Sequence, residues 1–179
     1  MGVMPNDYTV LDIETTGLSP VKDSIIELSA LKVRNNNVVD EFSSLVKSNI
    51  SVSPFITNLT GITNNMLETA PAINSVLPEF IEFISDDIIL GHNVSFDLSF
   101  IRAKLKQYCQ IELKNKSIDT RYIARNTLNL ANYKLTTIAM YYGIDTQNNH
   151  RGLKDCYITY EVYNNLIGHK EPKFSPLFC

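Results

Sequence analysis

The sequence has little of what secreted, fibrous or membrane-spanning proteins depend on. Its three cysteines (Cys109, Cys156 and Cys179) are odd in number and widely spaced, which is typical of reduced thiols and not of a disulfide framework. No apolar run approaches the ~20 residues of a membrane span. The first residues lack the basic and apolar segments of a secretory signal. We therefore expect a cytoplasmic protein that does not contact membranes.

Linkers, repeats and low-complexity tracts are also missing. The chain has 179 residues, of which 44% are hydrophobic and 20% charged, and this mixture excludes a disordered or fibrous protein. One domain of this length buries enough surface to be stable without a disulfide or a structural metal. We expect a single domain over residues 1–179, with its core at about 7–168 and a short tail, 169–179, folded back onto it.

The charge is unevenly distributed although the total is only −3. Residues 1–101 contain 4 basic and 13 acidic side chains, whereas residues 102–134 contain 8 basic and 2 acidic ones. A basic stretch beside an acid-rich one can hold a polyanion while the acids hold a metal. For most of these basic residues, a solvated helix surface is the favoured interpretation.

Apolar spacing predicts an α/β fold. A three-stranded opening, with a turn at Asn35-Asn36-Asn37, is followed by helices that alternate with short strands. This order predicts a mixed sheet with helices on both faces, a three-layer α/β/α sandwich. The predicted strands are 8–14, 25–33, 38–46 and 88–90, and the main predicted helices are 75–84, 94–108, 119–128, 135–142 and 152–167.

Asp12 and Glu14 lie two residues apart in the first predicted strand. Because successive side chains of a strand alternate between its faces, both carboxylates emerge on the same side. Adjacent carboxylates repel each other unless a cation or a proton lies between them, and oxygen ligands suit Mg²⁺ or Mn²⁺. A charged pair on the water face of an edge strand is the alternative interpretation.

Asp97 and Asp155 are each predicted in the first turn of a helix, where the helix dipole favours negative charge. Asn93 or Ser95 is a reasonable N-cap for the first of these helices. His150 lies in the polar loop before the second, where a core role explains it poorly and a loop base near a metal explains it better.

The order of these motifs resembles a known family. Asp12-Ile-Glu-Thr-Thr-Gly-Leu18, then His92-Asn-x-x-Phe-Asp97, then His150-Arg-x-x-x-Asp155 is similar to the three motifs of the DnaQ-like (DEDDh) exonucleases. This family includes the epsilon subunit of bacterial DNA polymerase III and the PolC-type exonuclease domains. The similarity covers about residues 7–168. It implies a ribonuclease H-like fold with a mixed five-stranded sheet, and a 3′→5′ exonuclease that releases nucleoside 5′-monophosphates.

The resemblance also implies roles for individual residues. Four carboxylates match the ligands of two divalent metal ions, Mg²⁺ or Mn²⁺, and His150 matches the general base. His92 receives no catalytic role, and Asp119 is expected to cap its helix and not to be a fifth ligand. The implied catalytic residues are Asp12, Glu14, Asp97, His150 and Asp155, and the implied substrate-binding residues are Thr15, Thr16, Leu18, Asn93 and Phe96.

Three functions stay open at this point. The first is a DNA exonuclease of the proofreading or repair type, acting on single-stranded or frayed 3′ ends, alone or with replication or repair proteins. The second is an RNA 3′-end trimming enzyme with the same metals, since RNA-directed enzymes discriminate by the 2′-OH. The third is a catalytically silent nucleic-acid-binding relative. The Thr-Thr-Gly-Leu form of the first motif and the loop Thr60-Gly-Ile-Thr63 resemble the polymerase-associated branch of the family, and this resemblance favours DNA.

Overall fold

A five-stranded mixed sheet forms the centre of the molecule. The computed structural model describes residues 4–147 and 150–168. The tail 169–179 lies outside this part, so its expected packing against the core stays a prediction. The strands lie in the order β3-β2-β1-β4-β5, with β2 antiparallel to β1 and β3, and β4 parallel to β1 and β5. Their bounds are β1 Tyr8–Thr15, β2 Ile25–Arg34, β3 Asn37–Leu45, β4 Ile89–Gly91 and β5 Ser117–Asp119.

Helices cover both faces of this sheet. Leu11 and Ile13 of β1 pack against α3 and α4 on one face, whereas Tyr8 and Val10 pack against α5, α6 and α7 on the other. The predicted three-layer α/β/α sandwich is therefore confirmed. The helices are α1 Pro54–Thr60, α2 Asn64–Glu68, α3 Ile73–Ile84, α4 Ser95–Tyr108, α5 Thr120–Thr127, α6 Leu135–Tyr142 and α7 Gly152–Ile167.

Local sequence explains several element boundaries. Asn35 and Asn36 have φ values of 51° and 58°, the left-handed backbone that a two-residue hairpin requires, and they join β2 to β3 as predicted. Gly143 ends α6 with φ 69°. Asp119 caps α5 by accepting a hydrogen bond from the Arg121 main-chain N–H, which confirms its predicted role.

Three local predictions differ from the structure. The spacing located only four strands and placed 119 inside a helix, whereas β5 ends at Asp119, because its pairing with β4 is long-range. Neither Asn93 nor Ser95 caps α4; the N-cap is Val94, and no side chain bonds the free N–H groups there. Helix α3 begins at Ile73, two residues before the predicted start at 75, and this places Pro78 in its second turn. Within the described residues, no helix is long and apolar enough to cross a membrane.

Candidate active site

Three carboxylates meet at the end of β1. Asp12 and Glu14 are on the face of β1 that α7 covers, and Asp155 lies in the first turn of α7. One carboxylate oxygen from each residue can be chosen so that all three lie within 4.8 Å of one another. The alternation of β1 and the start of α7 thus bring together residues more than 140 positions apart.

Asp97 joins this group from a second helix. It lies in the first turn of α4, is only 5% exposed, and its Oδ1 accepts a hydrogen bond of 3.2 Å from the main-chain N–H of Ile13. Ile13 separates Asp12 from Glu14, so this bond fixes Asp97 beside both. The four predicted carboxylates are therefore in one place.

Burial raises the pKa values of all four carboxylates, and the charges of neighbouring carboxylates raise those of Asp12 and Glu14 further. Burial, followed by the charges of Asp155 and Glu27, raises the pKa of Glu14 to about 8. Burial raises the pKa of Asp97 to about 7 and also raises the pKa of Asp155. For Asp12, burial and the neighbouring carboxylates raise the pKa well above its ordinary value. Burial and mutual repulsion therefore disfavour full ionisation of this group unless positive charge is added.

His150 is attached directly to this cluster. Its main-chain N–H donates a hydrogen bond of 2.8 Å to Oδ2 of Asp155. The residue has φ 64°, a left-handed conformation that is uncommon for a residue with a side chain. His150 lines the same cleft as Asp12, Glu14, Asp97 and Asp155. The predicted base and the predicted ligands therefore share one cavity.

The cleft has a volume of about 640 Å³ and a second, cationic wall. This wall comes from the start of α5 and from the segment that leads into α6. Its residues include Arg121, Tyr133, Lys134, Leu135 and Thr136. Neither Arg121 nor Lys134 was assigned a role from the motifs, and their only signal in the sequence was the basic stretch 102–134.

The loop between β4 and α4 connects the two walls. Asp119 Oδ1 accepts a hydrogen bond of 2.9 Å from the main-chain N–H of Asn93, whose φ is 63°. The side-chain oxygen of Asn93 accepts a hydrogen bond of 3.1 Å from Arg121 Nη1. Asn93 lines the cleft, and Arg121 holds its side chain there.

His92 is a structural residue of the cleft floor. Its Nε2–H donates to the main-chain oxygen of Tyr133 at 3.0 Å, and its Nδ1 lies 2.9 Å from the Thr120 hydroxyl. Burial lowers the pKa of His92, so the ring is neutral near pH 7. It holds the Tyr133 segment against β4, which agrees with the absence of a catalytic assignment.

The other predicted substrate residues are placed differently. Phe96 lines the cleft and packs against Phe100 with ring centroids 5.1 Å apart. The Thr15 hydroxyl donates to the Gly17 carbonyl, and the Thr16 hydroxyl accepts from the Ser24 main-chain N–H. Leu18 is 84% exposed and lies in the loop after β1. Phe96 therefore lines the cleft, whereas Thr15, Thr16 and Leu18 do not, although their loop directly follows Glu14 in the chain.

Glu27 is a residue of the site that motif reasoning missed. It lies opposite Glu14 in the β1–β2 register and is 2% exposed. Its carboxylate accepts hydrogen bonds of 3.0 Å from the Gly152 main-chain N–H and 3.2 Å from Arg151 Nη2. It thereby holds the loop between His150 and Asp155 against β2. The only signal was one charged residue within the apolar run Ile25-Ile-Glu-Leu28.

The donor set fits a hard divalent cation. In the part of the chain that the structure describes, the ligand atoms that converge at the end of β1 are carboxylate oxygens, and such ligands favour Mg²⁺ or Mn²⁺ over softer metals. A bound cation would also stabilise the ionised form of these carboxylates and so lower their raised pKa values. Together, the sheet order and this cluster define a mixed α/β sandwich with an acidic site, suited to divalent cations, at the end of its central strand.

The chain belongs to the RNase T-type exonuclease family, whose pattern matches residues 9–163. It is 39% identical over 165 residues to DNA polymerase III PolC-type of Caldanaerobacter subterraneus, covering 92% of this chain and 12% of that protein. It is 37% identical over 166 residues to the DNA polymerase III subunit epsilon of Aquifex aeolicus, covering 92% of this chain and 82% of that one. The chain thus spans about an eighth of the PolC-type relatives and most of the epsilon relative.

Solved structures share the fold. Exonuclease X bound to 5′-overhanging duplex DNA has a TM-score of 0.73 and 24% identity, with 91% of this chain and 92% of that chain covered. Exonuclease I has a TM-score of 0.77 and 20% identity, with 93% of this chain and 41% of that chain covered. These likenesses confirm the predicted ribonuclease H-like fold.

Proposed function

We propose that this chain is a metal-dependent 3′→5′ exonuclease that acts on single-stranded or frayed DNA ends and releases nucleoside 5′-monophosphates. The observation that carries this proposal is the meeting of Asp12, Glu14 and Asp155, with Asp97 bonded between the first two, beside the loop of His150. Membership of the exonuclease family supports it. We treat the core, about residues 7–168, as the single catalytic domain.

Asp12, Glu14, Asp97 and Asp155 would hold two divalent cations, Mg²⁺ or Mn²⁺. Such ions, when bound, help to ionise an attacking water and neutralise the charge that develops on the departing oxygen. The protein's part is to hold the oxygen ligands rigidly. The hydrogen bond from Ile13 to Asp97 and that from His150 to Asp155 do this from the main chain, independently of side-chain rotamers.

His150 is the proposed general base. The water oxygen forms a bond to the terminal phosphorus, the bond from phosphorus to the 3′-oxygen of the preceding nucleotide breaks, and that oxygen leaves with a proton from solvent as a new 3′-hydroxyl. The imidazole of His150 takes the proton of the attacking water. A positioned base of this kind contributes roughly 10²- to 10⁴-fold to a rate.

The terminal nucleotide is proposed to lie between Phe96, Asn93 and the loop of Thr15, Thr16 and Leu18. Phe96 is half-buried at the cleft, and stacking of a base on an aromatic ring is worth ~1–3 kcal/mol. DNA is preferred to RNA here because relatives at 37–39% identity are named as DNA polymerase III proteins. Those names also support work alongside a DNA polymerase or other replication and repair proteins.

Digestion of matched oligonucleotides tests this function. Single-stranded DNA and RNA of the same sequence, labelled at the 5′ end, are incubated with Mg²⁺ or Mn²⁺, and products are resolved by length. We expect a ladder that shortens from the 3′ end of DNA, and release of nucleoside 5′-monophosphates.

Asp12→Asn is the matched inactive variant, because it removes one ligand charge at nearly unchanged volume. Faster trimming of RNA would place the enzyme among RNA-processing exonucleases with the mechanism intact. If wild type cleaves neither polymer although calorimetry shows that it binds the metal, the silent nucleic-acid-binding alternative replaces the proposal.

A further inference from the structure

We infer that Arg121 and Lys134 form a phosphate-binding wall for the nucleotides that precede the terminal one, so that the enzyme binds a strand and not only its last nucleotide. This wall rests on the proposed function, since it extends the same cleft. Both side chains line the cleft that contains Asp12, Glu14, Asp97 and Asp155. The ligand class is a single-stranded polynucleotide backbone.

Arg121 is held in a position suited to this task. It is the second residue of α5 and is partly buried, with Nη1 donating 3.1 Å to the Asn93 side-chain oxygen. Asp119 Oδ1 accepts hydrogen bonds of 2.9 Å from the main-chain N–H groups of both Asn93 and Arg121. The guanidinium is therefore fixed beside the proposed site of the terminal nucleotide, and such preorganisation favours phosphate recognition by arginine.

Lys134 approaches from the neighbouring segment. It is the N-cap residue of α6, it is exposed, and no side chain caps the first-turn N–H groups of this helix. Leu135 and Thr136, which begin α6, line the same cleft. The free N–H groups of that turn add positive potential beside the lysine charge.

These charges are not neutralised by the protein. Among residues 4–147 and 150–168, ion pairs within 4.0 Å include Arg34 with Asp87 and Arg151 with Glu27, but neither Arg121 nor Lys134 takes part in one. Two unpaired cations facing an acidic cluster separate the functions of the cleft. One wall suits metal ions, and the other suits the phosphates of the strand that leads to them.

The test compares a strand with a substrate that has no preceding phosphates. The p-nitrophenyl ester of thymidine 5′-monophosphate offers one scissile phosphate, whereas an octanucleotide also offers the upstream backbone. For Arg121→Ala with Lys134→Ala, we expect kcat/KM on the octanucleotide to fall roughly 10- to 100-fold, mainly through KM. In Lys134→Ala, which leaves the bond between Arg121 and Asn93 intact, hydrolysis of the ester should fall less than about 3-fold, because the ester has no upstream phosphate.

Binding gives a readout that does not depend on catalysis. In an Asp12→Asn background with Mg²⁺, anisotropy of a labelled octanucleotide should show weaker binding in the double variant. In the double variant, the slope of log K against log salt concentration should be shallower by about 1.4, because each of the two lost contacts to a single strand contributes ~0.7. Lys134→Ala alone should show half of this change, and this loss cannot come through Asn93, whose side chain is bonded to Arg121. Arg121→Lys should bind more tightly than Arg121→Ala, because it restores the positive charge.

The control is Arg102→Ala with Lys106→Ala, which removes the same charges from the exposed side of α4, outside the cleft. We expect it to behave like wild type. Equal losses of Lys134→Ala on the ester and the octanucleotide, or equal losses in the control, would overturn the wall. An inactive wild type whose octanucleotide binding still depends on Arg121 and Lys134 would leave the wall standing and remove the proposed function instead.

Discussion

The main-chain N–H of His150 donates to Oδ2 of Asp155 over 2.8 Å, so the loop and the helix of the third motif are fixed to each other. The donor residue has φ 64°. Such a backbone costs a residue with a side chain of the order of 1 kcal/mol, and is best tolerated by glycine, asparagine and histidine. The imidazole is therefore presented by a strained turn that Asp155 holds.

Replacing His150 by asparagine separates the backbone from the imidazole. Because asparagine accepts the left-handed backbone, His150→Asn should fold with an unchanged melting temperature. Its kcat on DNA should fall roughly 10²- to 10⁴-fold, since the base is lost. A second variant, His150→Gly, should regain part of the wild-type kcat when imidazole is added to the solution. Full activity of His150→Asn would exclude His150 as the base.

The pH dependence of the metal-free protein follows from the raised pKa values of Glu14, about 8, and Asp97, about 7. Ordinary carboxyl groups titrate near 4, so between pH ~4 and ~8 the folded state binds more protons than the unfolded state. Stability should therefore fall as pH rises through this window. Thermal melts in EDTA at closely spaced pH values measure the effect.

Added metal should reverse this loss. Mg²⁺ at about 100 times its Kd stabilises a protein by ~2.7 kcal/mol, or roughly 5–10 °C for a chain of this length. The shift should be larger at pH 8 than at pH 5.5, because protons compete with the cation at low pH. In Asp97→Asn both the pH slope and the metal shift should shrink. A larger shift at pH 5.5 would contradict the assignment of these carboxylates as ligands.

Local patterns were sufficient for the parts of the site that a single element fixes. The alternation of β1 determines that Asp12 and Glu14 share a face. The helical patterns of α4 and α7 determine that Asp97 and Asp155 lie in first turns. Their exact partners were not predictable, because the bond from Ile13 to Asp97 joins residues 84 positions apart.

The roles of residues that are positioned by long-range packing could not be predicted from the sequence. Glu27 looks like any charge in a strand until α7 places Gly152 and Arg151 on it. Arg121 and Lys134 are two of eight basic residues in 102–134, and only the cleft distinguishes them. Strand β5 has three residues and exists through its pairing with β4.

Gly152 offers a test of the close packing beneath this loop. A Cβ at this position would lie 2.6 Å from Ser29 Oγ and 2.9 Å from Ser29 Cβ, closer than side-chain atoms approach. Gly152→Ala should therefore cost about 1–3 kcal/mol and lower activity, because His150 and Asp155 flank it. Adding Ser29→Gly should recover most of the stability in a double-mutant cycle by urea unfolding. Additive losses would show that Ser29 is not the obstacle.

Two buried tyrosines allow a test in which the substitution is expected to keep or raise the stability of the protein. Tyr8 and Tyr163 are fully buried with ring centroids 5.1 Å apart, and their hydroxyl groups have no hydrogen-bond partner among the residues that the structure describes. Burial raises the pKa of Tyr163 to about 12, so its hydroxyl stays neutral. An unsatisfied buried hydroxyl costs free energy and contributes none, whereas the ring supplies the packing.

Tyr163→Phe should therefore leave the free energy of unfolding unchanged or raise it by up to ~1 kcal/mol. Tyr160→Phe is the matched control, since the Tyr160 hydroxyl donates 2.6 Å to the Asn36 main-chain oxygen across the β2–β3 turn. Losing that bond should cost about 0.5–1.5 kcal/mol. Urea unfolding of both variants decides the matter: if Tyr163→Phe lost as much as Tyr160→Phe, the Tyr163 hydroxyl would have to be bonded in solution, and the core between β1 and α7 would be wetter than its packing indicates.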